Sequence, residues 1–231
     1  MKKFFAISIA ALLAVSCNFI NDPDKPDNYD PLYSIYAYQN GTNISKTVYV
    51  EDTGTKVVEE VYAYKNNDWV FECKAVTERT YDSKGNVTDM KQTLYDEAGA
   101  VMSTSQARYE NVYNGTRLSD SYSEILNEDG EWVKNQHLSM FYMMDSNLLS
   151  DIVYSYYNEE TEEYEPAQSR EFSYYNNMVV SYETSSYDKE SDKWSIVSEN
   201  IYGYDDYMRL INIAENDKVK PAESTITTYY Y

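Results

Sequence analysis

From about residue 32 onward, apolar and polar side chains alternate with a period of two over stretches of about ten residues. Such alternation predicts β-strands with one face drier than the other. In IVYSYYN (152–158) it puts Tyr154 and Tyr156 on one face and Tyr157 on the other. Beyond residue 17 no segment holds apolar residues at i, i+3, i+4 and i+7 over three turns, so no helix is expected.

The strands repeat. YEPAQSREFSYY (164–175) returns as VKPAESTITTYY (219–230), with Pro-Ala near the start of each copy and Tyr-Tyr at the close. Taking the head of each copy as an anchor aligns Trp132, Tyr164, Trp194 and Val219, in steps of 32, 30 and 25. Ten residues after the anchors stand Tyr142, Tyr174, Tyr204 and Tyr229; eight after stand Met140, Phe172, Tyr202 and Thr227. Both offsets are even, so each pair shares a strand face. Trp69 lies 63 residues before Trp132, with Val101 as an anchor between them, and there the tyrosine (Tyr81, Tyr113) falls at +12 with the face preserved. Strict alternation likewise puts Trp69, Phe71 and Cys73 together on one face.

Turn residues punctuate the pattern. DSKGN (82–86), YNGT (113–116), MDSN (144–147), YNNM (175–178) and YDDY (204–207) follow the tyrosines. DEAG (96–99), NEDG (127–130), NEETEE (158–163), KESD (189–192) and ENDK (215–218) precede the next anchor or lead into it. Asn, Asp and Gly tolerate the left-handed backbone that tight hairpins need. Each unit is therefore a β-hairpin of about 30 residues, and hairpin-length joints throughout require an antiparallel meander. The count is about fourteen strands, more than the ~10 at which an open twisted sheet curls or splits. The expected fold is all-β, an elongated, curled single-layer or superhelical sheet; a sheet wrapped into a shell or barrel is the competing shape. A transmembrane barrel fails on desolvation: TKVVEEVYAY (55–64) puts Lys56 and Glu60 on one face and Glu59 on the other.

Composition narrows the chemistry. The 27 tyrosines favour strands and carry a flat apolar face with a polar tip. A net charge of −20 argues against nucleic acid. One histidine, His137, leaves no second imidazole for a His-based metal site, and no phosphate loop or nucleophile elbow is present. No cofactor or metal is expected. Carboxylates are many, but they are spread through the turns, so paired-acid glycoside hydrolysis is the remote alternative.

The N-terminus is a different kind of segment. MKKFFAISIAALLAVSC has Lys2 and Lys3, then an apolar run too short to span a bilayer comfortably. Ala14, Val15 and Ser16 before Cys17 resemble the lipobox of bacterial lipoproteins, in which the cysteine is diacylated and becomes the first residue. The family prefers Leu where Ala14 stands. That resemblance implies a signal peptide over 1–16, a lipid on Cys17 and stable membrane anchoring. Removing 16 residues and two lysines leaves 231 − 16 = 215 residues and a charge of 17 − 39 = −22. Residues 17–31 form an acidic, proline-rich tether, and 32–231 form a single repeat domain. Asp22, Asp24, Asp27 and Asp30 resemble the surface-export signal of lipoproteins from Bacteroidota. Tyr81, Asp82, Gly85 and Asn86, with LYDEAGAV (94–101), resemble the tyrosine-aspartate repeats of bacterial cell-surface proteins. Repeats of that kind imply a scaffold rather than a reaction.

The functional expectation is a non-catalytic binding or adhesion module. It is anchored in the outer membrane, surface-exposed rather than periplasm-facing, and its ligand is a glycan or a protein. Trp69, Trp132, Trp194, Tyr142, Tyr174 and Tyr204 are the candidates for stacking on that ligand, with core packing as the competing role for each. The alternative is a purely structural envelope lipoprotein with no small ligand.

Overall fold

A computed structural model describes residues 31–144 and 146–231. The expected signal peptide, Cys17 and the expected tether up to residue 30 lie outside the described residues. The remainder is fourteen strands in chain order. They are β1 (Tyr33–Tyr38), β2 (Asn43–Asp52), β3 (Lys56–Lys65), β4 (Asp68–Tyr81), β5 (Val87–Tyr95), β6 (Val101–Asn114) and β7 (Arg117–Leu126). Then follow β8 (Trp132–Tyr142), β9 (Leu149–Asn158), β10 (Glu163–Tyr175), β11 (Met178–Asp188), β12 (Lys193–Tyr204), β13 (Leu210–Asp217) and β14 (Thr225–Tyr230). Among the described residues the one helical piece is a short 3₁₀ turn, Pro221–Glu223.

Every strand pairs antiparallel with its neighbours in sequence, as the meander requires. The sheet curls until its ends meet: β1 pairs with β14 from Tyr33↔Tyr230 to Tyr38↔Thr225, and the result is a closed barrel. Closure leaves no strand edge to recruit another chain. A strand spacing of ~4.8 Å and a tilt of ~40° give fourteen strands a backbone diameter of roughly 28 Å. Eight-stranded barrels are filled by ordinary side chains; one this wide has more inner wall to cover. Long tyrosine side chains line much of it here.

The face that carries Ile152 (0% exposed), Thr77 (2%) and Tyr154 (4%) is the inner one. Ladder partners extend it to Tyr49, Glu59, Arg79, Tyr109, Arg170, Tyr182, Tyr202 and Tyr229. The largest apolar cluster, Leu138, Met140, Leu149, Ile152 and Tyr154, lies on this face, with Leu118, Tyr142 and Phe172 packed against it. Outward positions of successive strands carry Lys74, Lys91, Arg108, Glu110, Lys134 and Glu171, all exposed. A wall with those charges is built for water, since each would have to be stripped of solvent in hydrocarbon.

One sequence expectation is corrected by the ladders. A one-residue bulge interrupts the early part of five of the six anchor strands, where register shifts leave Glu72, Met102, Asn135, Ala167 and Val197 unpaired, and the sixth anchor, Val219, lies in the β13–β14 loop instead of a strand. Such an extra residue flips the faces on either side of it. Trp69 and Phe71 therefore point outward while Cys73 points inward. By the same flip Trp132, Tyr164 and Trp194 are outside, whereas Tyr142, Tyr174 and Tyr204 are inside. The +8 and +10 residues share a face as read, but their anchors do not.

Candidate functional site

The barrel has two rims. Tyr33 and Tyr230, where the described chain enters and ends, lie at one of them, together with the β2–β3, β4–β5, β6–β7, β8–β9, β10–β11 and β12–β13 loops. At the opposite rim the outward anchors meet the last residues of the preceding strands. Tyr64 packs edge-on to Trp69 at 4.9 Å, Tyr157 to Tyr164 at 5.2 Å, and Tyr187 lies 5.0 Å from Trp194. The guanidinium of Arg108 sits 4.7 Å over Trp132 and is itself paired with Glu124. The three tryptophans thus belong to one outer collar at the rim far from the chain ends. Trp194 is exposed, and Trp69 and Trp132 are half-buried.

The collar runs on into a platform on β7–β10. Tyr122 stacks on His137 at 4.2 Å with the rings 3° from parallel, and Tyr164 meets both edge-on at 5.6 Å. His137 Nε2 lies 2.9 Å from Asp120 Oδ1 and 3.3 Å from Ser139 Oγ, and Ser139 also donates to Asp120 at 3.2 Å. Burial would raise the Asp120 carboxyl, but hydrogen bonds from His137, Ser119 and Ser139 more than offset it and hold it below the usual range. The three residue types match a hydrolase triad, yet serine and aspartate share one ring nitrogen. A relay needs them on opposite nitrogens, so this group positions the imidazole and activates no hydroxyl.

Tyr142, Tyr174 and Tyr204 do not join this surface. They sit inside the barrel near the rim of the chain ends. Tyr142 donates to the carbonyl of Leu118 at 2.8 Å and Tyr204 to that of Val179 at 2.8 Å. Tyr81 reaches Gly54 at 2.7 Å in the same way, Tyr231 reaches Leu210 at 2.7 Å, and Tyr113 bonds Asp82. Each hydroxyl ties one repeat to the backbone or turn of the repeat before it. The repeated tyrosine is thus a fastener between units at Tyr81, Tyr113, Tyr142 and Tyr204, with Tyr231 in place of the aligned Tyr229 in the last unit, a role its spacing alone does not reveal.

Several charged groups enter the inner face, among them Arg170, Glu59 and Arg79. The Arg170 guanidinium lies between the rings of Tyr154 and Tyr182, at 5.0 and 5.1 Å. Among the described residues its Nε and the Tyr154 hydroxyl are shielded from solvent and make no hydrogen bond of ordinary geometry. Burial raises the Glu59 carboxyl, Arg79 opposes the shift and Asp52 adds to it. Glu59, Asp52 and Glu215 are inward acids. Asp52 is exposed beside a loop and does not share the dry environment of Glu59, and Glu215 lies on β13, in register with Tyr182. Among the described residues no cluster of three metal-ligating side chains occurs. The sequence assigned neither Arg170 nor Glu59 a functional role, because strand alternation cannot say which face of a closed barrel is inner.

No protein-family model and no curated protein matches the chain. Solved structures similar to it include a protein of unknown function from Bacteroides fragilis, with 10% identity, 55% of this chain and 91% of that one covered, and a TM-score of 0.41. Another is a porin-like protein from Bacteroides uniformis, with 9% identity, 85% and 95% coverage, and a TM-score of 0.39. Likenesses of that size carry no functional argument.

Proposed function

We propose that the protein is a non-catalytic binding module of the cell envelope, anchored in the outer membrane by lipid on Cys17 and displayed at the cell surface. Its ligand, a glycan or a protein, is taken by the outer aromatic collar around Trp69, Trp132 and Trp194. The observation that supports this most directly is the collar's place, at the rim opposite the one from which the chain leads back to Cys17. With Cys17 lipidated, the collar's rim carries no attachment and is left open to a ligand. Flat rings in cross-strand pairs offer faces for stacking on sugar C–H groups or partner side chains, and neighbouring carboxylates accept hydrogen bonds from hydroxyls. The inner tyrosines contribute through stability alone.

The test is a glycan array, followed by titration calorimetry, on the soluble chain from Asp30 onward. The triple variant Trp69→Ala, Trp132→Ala, Trp194→Ala is expected to lose binding, while Tyr204→Phe keeps it. A ligand that binds both proteins equally would move the site elsewhere. No binding to any glycan, with no surface partner recovered by cross-linking, would favour the purely structural lipoprotein.

A further inference from the structure

The two rims differ in charge. Loops at the far rim (39–42, 66–67, 96–100, 127–131, 159–162, 189–192 and 218–224) hold eleven Asp or Glu and three Lys, a net of 3 − 11 = −8. Loops at the rim of the chain ends (53–55, 82–86, 115–116, 143–148, 176–177 and 205–209) hold four acids and two bases, a net of 2 − 4 = −2. The second set also carries apolar side chains at or beside its tips. Met144 is 92% exposed, Tyr207 71%, Tyr175 67%, and Val50, Met208 and Leu32 each more than half. The far rim exposes apolar side chains too, Val101 and Val219 among them, but within a field of carboxylates.

The geometry points to a seat on the membrane surface: we infer that the rim bearing Leu32, Val50, Met144, Tyr175, Tyr207 and Met208 rests on the lipid headgroups. This inference builds on the reading that Cys17 is lipidated. Residues 18–31 could extend to about 45–50 Å, enough for the barrel to hang free or to settle. The tether therefore does not decide the orientation, and the rims do. Tyr and Met at loop tips bury in the interfacial layer, where an apolar body and a polar end are both accommodated. An anionic leaflet repels the rim of charge −8 far more than the rim of charge −2. The barrel then stands on end with its tryptophan collar outward, and the charged outer wall stays in water.

The experiment uses the lipidated mature chain in phosphatidylethanolamine–phosphatidylglycerol vesicles. Single cysteines are introduced as Met144→Cys, Tyr207→Cys and, at the far rim, Glu190→Cys. Each is labelled with an environment-sensitive nitrobenzoxadiazole dye, and the buried Cys73 is replaced by Ser throughout. Dye at 144 and 207 is expected to shift to shorter wavelength, brighten severalfold and be quenched by lipid-borne nitroxide. Dye at 190 is expected to do none of these. If the protein stays on the vesicles while all three dyes report water, the seat is overturned and the lipid anchor stands. If the protein does not stay on the vesicles at all, the anchor reading falls and the seat with it. Insertion at 190 alone would reverse the orientation and refute the proposal.

Discussion

At the residue scale, the repeated tyrosine carries two contributions that substitution can separate. Its ring packs on the inner face, and its hydroxyl fastens one hairpin to the one before, as Tyr142 does to Leu118 and Tyr204 to Val179. Tyr142→Phe and Tyr204→Phe remove the bond and strand a carbonyl, at a cost of about 1 kcal/mol each. Tyr142→Ala and Tyr204→Ala also remove the ring and should cost about 2–4 kcal/mol. Equilibrium urea unfolding of the four variants checks this; losses that differ widely between equivalent sites would show that the units are not equivalent. Cys73 illustrates the limits of residue-scale reading. Its thiol is buried, and burial, then the charges of Glu72 and Glu59, push its pKa up, which disfavours the reactive thiolate. Yet it reports on the inner face only, because the bulge at Glu72 sends Trp69 to the other side.

At the element scale, the loops show how the repeat drifts without losing its backbone. Asp82 accepts from the amides of Lys84 and Asn86, and Gly85 takes φ +83°. The loop at 205–209 copies this, with Asp205 accepting from Tyr207 and Arg209, but Met208 stands at the glycine place with φ +66°. A side chain there is strained by about 1 kcal/mol, so Met208→Gly should stabilise the protein by up to about that amount, visible as a rise in the urea midpoint. An unchanged or lower midpoint would mean that the Met208 side chain contributes contacts that offset its strain. Strands, turns and the meander were legible in sequence because period-two patterning and Asn/Asp/Gly chemistry are local. The bulges were not. Ala167 and Val197 look like ordinary strand residues, and only pairing with the neighbouring strand identifies them as extra. For that reason the six candidate stacking residues, read as similar, divide into an outer tryptophan set and an inner tyrosine set.

At the scale of the whole molecule, closure gives the many tyrosines a collective property. Burial is the leading cause that raises the phenol pKa of Tyr49, Tyr109, Tyr154, Tyr182, Tyr202 and Tyr229, all on the inner face. In the unfolded chain these phenols ionise near pH ~10, whereas in the barrel they keep their protons to higher pH. Below the unfolded pKa both states are neutral and the stability is fully present. As pH rises past it, the unfolded state binds fewer protons than the folded one, and stability is lost through the folded pKa. Each phenol contributes a slope of about 1.4 kcal/mol per pH unit in that window, so six together can remove a typical stability of about 5–15 kcal/mol within one or two units. The barrel should therefore unfold sharply in alkali, with tyrosinate absorbance and loss of the far-UV β signal rising in one step. If the phenols instead ionise gradually near pH ~10 while the β signal persists, water already reaches the inner face. The tyrosines would then line an open, solvated channel rather than fill the barrel, and the inner face would replace the collar as the surface to test for ligand.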